Sequence, residues 1–280
     1  MLLGAAVLSA CSAKKETASE VPERIVVLTA ADCEIVYALG AGDRVVGRGA
    51  YCDRPEETAG IPAVESGYET NVEQIIALKP DLVLMGVMNQ RDAVVTQLEN
   101  AGIRTHRSKA DSIEETYASI RTIAGLLGKD APENAEKLIS QMQDAFEQIR
   151  KAPVGTGDKT VYFEVSPLEY GLWTAGRGTF MDEAASLMGL TNIFSDVEGW
   201  AEISEEQVLS RTPDYIVTIS MYYGEGPTPV EEILGRTGWE NVTAVQKKAI
   251  LNLDDDSLSR PCPRLSEGVQ KLYGFAKEYE

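Results

Sequence analysis

The stretch Asp254-Asp255-Asp256-Ser257-Leu258-Ser259-Arg260 places three adjacent carboxylates just ahead of a guanidinium. Such a set suits acid-base or cation-assisted chemistry, a grip on a polar ligand, or a solvated loop at a strand end. Other candidate chemistry is thin. The sequence contains no Cys-x-x-Cys spacing, and its single histidine, His106, is expected in a structural or solvated role, so a zinc centre is not indicated. No nucleophile-base pairing stands out either. What the chain has in quantity is aromatic residues close to these charges: Tyr51, Tyr68, Tyr170, Trp173, Tyr222 and Tyr223. An apolar, aromatic cleft with few polar anchors suits capture of a bulky ligand.

The elements that must position these residues alternate from Arg24 onward. Runs such as Arg24 to Leu28, Asp81 to Met85, Ile103 to Arg107, Thr160 to Val165, Tyr215 to Ile219 and Ala249 to Leu253 have the β-branched, apolar character of strands. Helical spacing fills the intervals, which predicts an α/β fold with mainly parallel sheets. In such sheets ligands sit beyond the carboxyl ends of the strands. That rule selects the loops Thr29 to Asp32, Ala50 to Thr70, Gly86 to Gln90, Ser166 to Thr179, Ser220 to Thr228 and Asp254 to Arg264, where the aromatics and charges lie.

One segment occurs twice. Asn71-Val72-Glu73-Gln74-Ile75 through Lys79-Pro80-Asp81-Leu82-Val83 is echoed by Ser204-Glu205-Glu206-Gln207-Val208 through Thr212-Pro213-Asp214-Tyr215-Ile216, each matched pair 133 residues apart. Solenoid repeats are far shorter, so this interval predicts a duplicated lobe. Between the copies, Ala135, Leu138, Ile139, Met142, Ala145, Phe146 and Ile149 recur at helical spacing. The expected division is an N-terminal lobe at 22–130, a linking helix at 131–153 and a C-terminal lobe at 154–280. A rigid helix between the lobes predicts small domain motion.

The net charge of −18 over 280 residues argues against nucleic acid. Residues 1–10 are uncharged and apolar, too short to span a bilayer, and read as a signal peptide. Leu8-Ser9-Ala10-Cys11 resembles the bacterial lipobox, which makes Cys11 the expected lipidated residue and 11–21 a tether. No basic residue precedes the apolar run, so the true translation start is expected further upstream. The three remaining cysteines, Cys33, Cys52 and Cys262, leave at least one thiol free.

From about Pro22 the whole chain resembles the substrate-binding proteins of ABC importers, in the class serving iron-siderophore, haem and cobalamin uptake. Arg24 to Leu28, Asn71 to Ile75, Leu78 to Val83, Asn192-Ile193-Phe194, Ile203 to Val208 and Pro263-Arg264 carry the resemblance together. It implies two Rossmann-like lobes joined by one long helix, with the ligand between them. It further implies that Glu73 and Glu206 dock onto arginines of a membrane permease served by its ATPase. On the ligand side, Tyr51 matches an aromatic of the cobalamin binders, and Asp256 and Arg260 their acid-arginine pair; Tyr68, Trp173 and Tyr222 join these as expected contacts. A tryptophan carried by those members is replaced here around Gly67-Tyr68. Arg260 would equally suit an anionic ferric siderophore, and Tyr51, Met85 or Met88 a haem iron. The expectation is a monomeric, lipid-anchored, extracytoplasmic binding protein without catalytic residues or a resident cofactor or metal. An exported enzyme using Asp254 to Asp256 with Arg260, or a surface sensor on the same scaffold, is the alternative.

Overall fold

A computed structural model describes residues 21–67, 69–87, 91–154 and 158–279. Cys11, Tyr68 and Met88, with the signal segment and nearly all of the tether, lie outside the described residues. The first lobe runs β1 (Ile25–Val27), α1 (Ala30–Ala38), β2 (Val45–Gly49), β3 (Ala63–Val64), α2 (Val72–Ala77), β4 (Leu82–Gly86), α3 (Asp92–Asn100), β5 (Arg104–Ser108) and α4 (Ile113–Leu127). Its strands form one parallel sheet in the order β3-β2-β1-β4-β5. Strand β1 is buried throughout and β4 from Leu82 to Met85, as strands covered on both faces must be.

The linking helix is α5 (Ala131–Lys151), with Pro132 in its first turn. Ala131, Ala135, Ile139, Met142, Phe146 and Ile149 are its buried face, and Leu138 and Ala145 of the expected stripe are half-buried at its edge. Each large side chain there contributes about 1.5–3 kcal/mol on burial. The second lobe follows as β6 (Thr160–Ser166), β7 (Trp173–Ala175), α6 (Phe180–Leu187), β8 (Thr191–Asn192), β9 (Trp200–Glu202), α7 (Glu205–Arg211), β10 (Tyr215–Thr218), α8 (Pro229–Leu234), α9 (Thr243–Lys247), β11 (Ile250–Asn252) and α10 (Leu265–Glu278). Here the sheet is mixed: β11-β10-β6 and β8 are parallel, whereas β7 and β9 run antiparallel. Only a short turn through Pro167 to Gly171 separates β6 from β7, too little chain for the crossover that a parallel neighbour needs. Trp173, expected in a loop, therefore opens a strand.

The duplicated segment has the same backbone in both lobes. Helices α2 and α7 each give way to a left-handed residue, Lys79 (φ 51°) and Thr212 (φ 40°), just before the proline. A residue before proline is steered away from the right-handed helix, which ends both helices there. The following aspartate then fastens the neighbouring strand. Asp81 Oδ2 accepts from the N–H groups of Glu23 and Arg24, both at 2.9 Å, and Asp214 Oδ2 accepts from the N–H and hydroxyl of Thr160, at 3.1 and 3.2 Å. Each copy is thus a helix stop plus an anchor for the start of β1 or β6.

Candidate functional site

Between the lobes lies a cavity of about 420 Å³, within the range of small-molecule sites. Thr29 and Asp32 follow β1, Gly86 and Val87 end β4, and Ser108 to Asp111 end β5; Val165, Ile219, Ser259 and Pro261 face them from the second lobe. All belong at or beyond carboxyl ends of strands, as the strand-end rule requires. Phe180 and Trp200 supply an aromatic wall, their ring centroids 5.2 Å apart. Three larger grooves lie elsewhere: about 740 Å³ against α4, α5 and α6, about 620 Å³ beside Leu168 and Arg236, and about 1040 Å³ along α1 and the loops after β2 and β11 at Arg54 and Arg264.

Two seams hold the lobes together beside the cavity. In the first, the Asp111 carbonyl accepts from the Phe180 N–H (2.6 Å) and its carboxylate from the Trp200 indole (3.2 Å). The Glu183 carboxylate accepts from the Ile113 N–H at 2.6 Å. The second seam is ionic. Glu34, buried on α1, accepts from Arg264 Nε (2.6 Å) and Nη2 (3.2 Å) and from Arg260 Nη1 (3.0 Å). Arg260 also donates to Asp53 (2.8 Å) and pairs with Asp256. Asp256 stands at a left-handed φ of 62°, a strained conformation for a residue with a side chain. Asp255 is drawn down to about 2: burial opposes this, but Lys271 and Ser257 bonds outweigh it.

The residues expected to meet ligand divide accordingly. Asp256 and Arg260 do pair with each other, and the structure brings both into the inter-lobe seam, where every partner of Arg260 is a carboxylate of this chain. Tyr51 (79 % exposed), Trp173 (40 %) and Tyr222 (38 %) stand exposed at the carboxyl ends of β2 and of the lobe-two strands, outside the cavity lining. Tyr170, Met221 and Tyr223 are exposed in the same lobe-two region. Glu34 escaped the sequence reading because its partners lie more than 220 residues away. The signal was its position: an acid among Cys33, Ile35 and Val36, in a run that buries every side chain.

Glu73 and Glu206 are exposed, each in the first turn of the duplicated helix. Asn71 caps α2 through the Gln74 N–H, and Ser204 and Gln207 form a capping box on α7. The Glu206 carboxyl is held below the usual range, chiefly by a backbone hydrogen bond and also by Ser204. The two glutamates share a helix position, a cap and a left-handed stop, in lobes on either side of the cleft.

The family model for periplasmic binding proteins matches residues 25–257. The chain belongs to that family. It is 35% identical over 262 residues to the uncharacterised ABC transporter substrate-binding lipoprotein YvrC of Bacillus subtilis, covering 91% of this chain and 80% of the relative. It is 30% identical over 255 residues to a vitamin B12-binding protein of Pectobacterium carotovorum, covering 90% and 87%. A solved structure of a possible iron-binding, periplasmic solute-binding protein from Staphylococcus epidermidis superposes with a TM-score of 0.78 at 29% identity, covering 91% of this chain and 99% of that one. The two-lobed α/β architecture and the class, a substrate-binding protein of ABC transporter type, are those of this family member.

Proposed function

We propose that this protein captures a corrinoid or a ferric chelate between its lobes, outside the cytoplasm, and delivers it to the permease of an ABC importer driven by its ATPase. The observation that carries the reading is the mainly apolar cavity at the strand ends of both lobes, with Phe180 and Trp200 as its aromatic wall. Capture of this kind needs complementarity and no bond-making. A metal-macrocycle chelate is larger than this cavity of about 420 Å³, so the cavity takes one edge of it. Names of relatives point the same way, to vitamin B12 in one and iron in another.

Titration of the purified chain with cyanocobalamin, haemin and a ferric hydroxamate tests this directly. One of the three is expected to bind with a dissociation constant at or below about 1 μM, roughly −8 kcal/mol. Failure of all three to bind removes the reading. Cys11 is the proposed lipid anchor, and diacylation gives the multiple chains that stable attachment requires. Cys11→Ala is expected to shift the protein from the membrane fraction to the soluble one; unchanged membrane recovery contradicts anchoring at that residue.

A further inference from the structure

We infer that Asp32, with Ser108 beside it, is the polar reading point of the inter-lobe cavity and receives hydrogen-bond donors of a neutral, amide-bearing ligand. The inference rests on the substrate-binding reading above and narrows it to one ligand class. Asp32 lines the cavity from the first turn of α1 and is 2 % exposed. Its Oδ2 has no hydrogen-bond partner at normal distance, and neither has Ser108 Oγ at the end of β5, although the Ser108 hydroxyl stands near enough to favour the carboxylate. Buried acceptors normally find partners, and leaving one unmatched opposes folding. Two oxygens that face a cavity with no more than a long contact to each other are explained if the ligand supplies the donors.

The surrounding charges decide which donors. Thr29 stands on Asp32's own turn, its hydroxyl accepting from the Asp32 N–H at 3.3 Å. Cys52, in the loop after β2, is near enough to feel the carboxylate. Lys109 is the cation in the described lining, and Asp111 holds it at 2.7 Å. Arg260 and Arg264 are taken by the ionic seam. A ligand carboxylate brought to Asp32 would therefore meet a like charge with every nearby cation engaged. Ligand amide N–H groups would meet two waiting acceptors, with Val87, Val165, Phe180, Trp200 and Ile219 receiving the apolar remainder. Corrinoids carry peripheral amides, whereas haem carries carboxylates.

Burial raises the Asp32 carboxyl from 3.8 to about 6, although Thr29 and Ser108 pull it down. A raised acid means the folded state holds the proton longer than the unfolded chain. Stability is therefore lost as pH climbs from about 4 to 6, and the loss persists above. Asp32→Asn removes this loss.

The test is equilibrium titration of the full chain and of Asp32→Leu, Asp32→Asn and Ser108→Ala with cyanocobalamin and haemin, alongside thermal unfolding without ligand. The wild type is expected to bind cyanocobalamin more tightly than haemin, and Asp32→Leu to lose about 10- to 100-fold on cyanocobalamin, as for a hydrogen bond to a charged group. Asp32→Asn and Ser108→Ala are expected to show smaller losses. Haemin binding more tightly to the wild type, or Asp32→Leu within twofold of it on cyanocobalamin, overturns the inference while sparing the wider substrate-binding reading. Wild type that binds neither probe counts against the proposed ligand classes, and the unfolding arm then judges Asp32. A midpoint for Asp32→Asn above wild type at pH 7.5, with the gap closing at pH 4, upholds an unmatched carboxylate kept at the expense of stability. An unchanged or lower midpoint at pH 7.5 shows a carboxylate already satisfied within the protein, and the inference falls.

Discussion

Reversing Glu73 and Glu206 to Arg together abolishes uptake of the cargo, while the affinity of the purified protein for it stays within twofold. The expectation comes from their places in the fold. Each is exposed in the first turn of a helix that recurs at the same point of its lobe, and neither lines the cavity. A two-fold permease presents the same surface twice, so a binding protein with two similar lobes can meet it with one carboxylate from each. Placing Arg there turns attraction into like-charge contact, which costs several kcal/mol at an interface. Each single reversal is expected to lower uptake about tenfold and the double reversal more than a hundredfold. The fold tolerates the change: a cation at an exposed helix N-terminus is only mildly unfavourable, and the caps Asn71 and Ser204 remain. Uptake in cells lacking the native copy, paired with ligand titration, is the measurement. Undiminished uptake sinks the docking role and favours a sensor on the same scaffold.

Residues whose meaning is local were readable from the chain. Pro80-Asp81 and Pro213-Asp214 announced a helix end and a strand start, and both do so through the same left-handed stop and the same carboxylate anchor. The α5 stripe from Ala135 to Ile149 was likewise legible because helical spacing needs no knowledge of what it packs against. Helix α4 carries a local signal of the same kind, a Ser112 cap followed by buried Thr116, Tyr117, Ile120, Ile123, Ala124 and Leu127 at helical steps. Arg260 is a different case. A guanidinium near three aspartates reads equally as a ligand grip or as a seam, and the deciding partner, Glu34, comes from the far end of the chain. Pairings set by tertiary closure leave no local pattern. The same holds for Asp32, whose interest lies in a partner it does not have.

Glu34→Gln is expected to cost about 3 kcal/mol of stability and to loosen the lobes. The carboxylate, 5 % exposed, is where two arginines of the second lobe converge on the first. Removing its charge leaves Arg264 with a carbonyl, that of Asp255 at 3.0 Å, in place of a two-point carboxylate. Its guanidinium, now held above its ordinary range chiefly by the bonds to Glu34, would lose that support. Breaking a buried ion pair from one side costs about 3–5 kcal/mol, because the surviving charge is stranded. The lower figure applies here, since Gln keeps one acceptor and Arg260 keeps Asp53 and Asp256. For a domain of this size that corresponds to a thermal midpoint lower by about 6–10 °C. The seam also fixes how the lobes face each other, on one flank of the cavity that Ser259 and Pro261 line. The variant should therefore give a larger radius in solution scattering than wild type, and α5, packed against both lobes, should limit that increase. A midpoint within 1 °C of wild type and an identical scattering curve would show that water replaces Glu34 at no cost. In that case the lobes are held by α5, by the Asp111 and Glu183 bonds and by the Arg260–Asp53 pair.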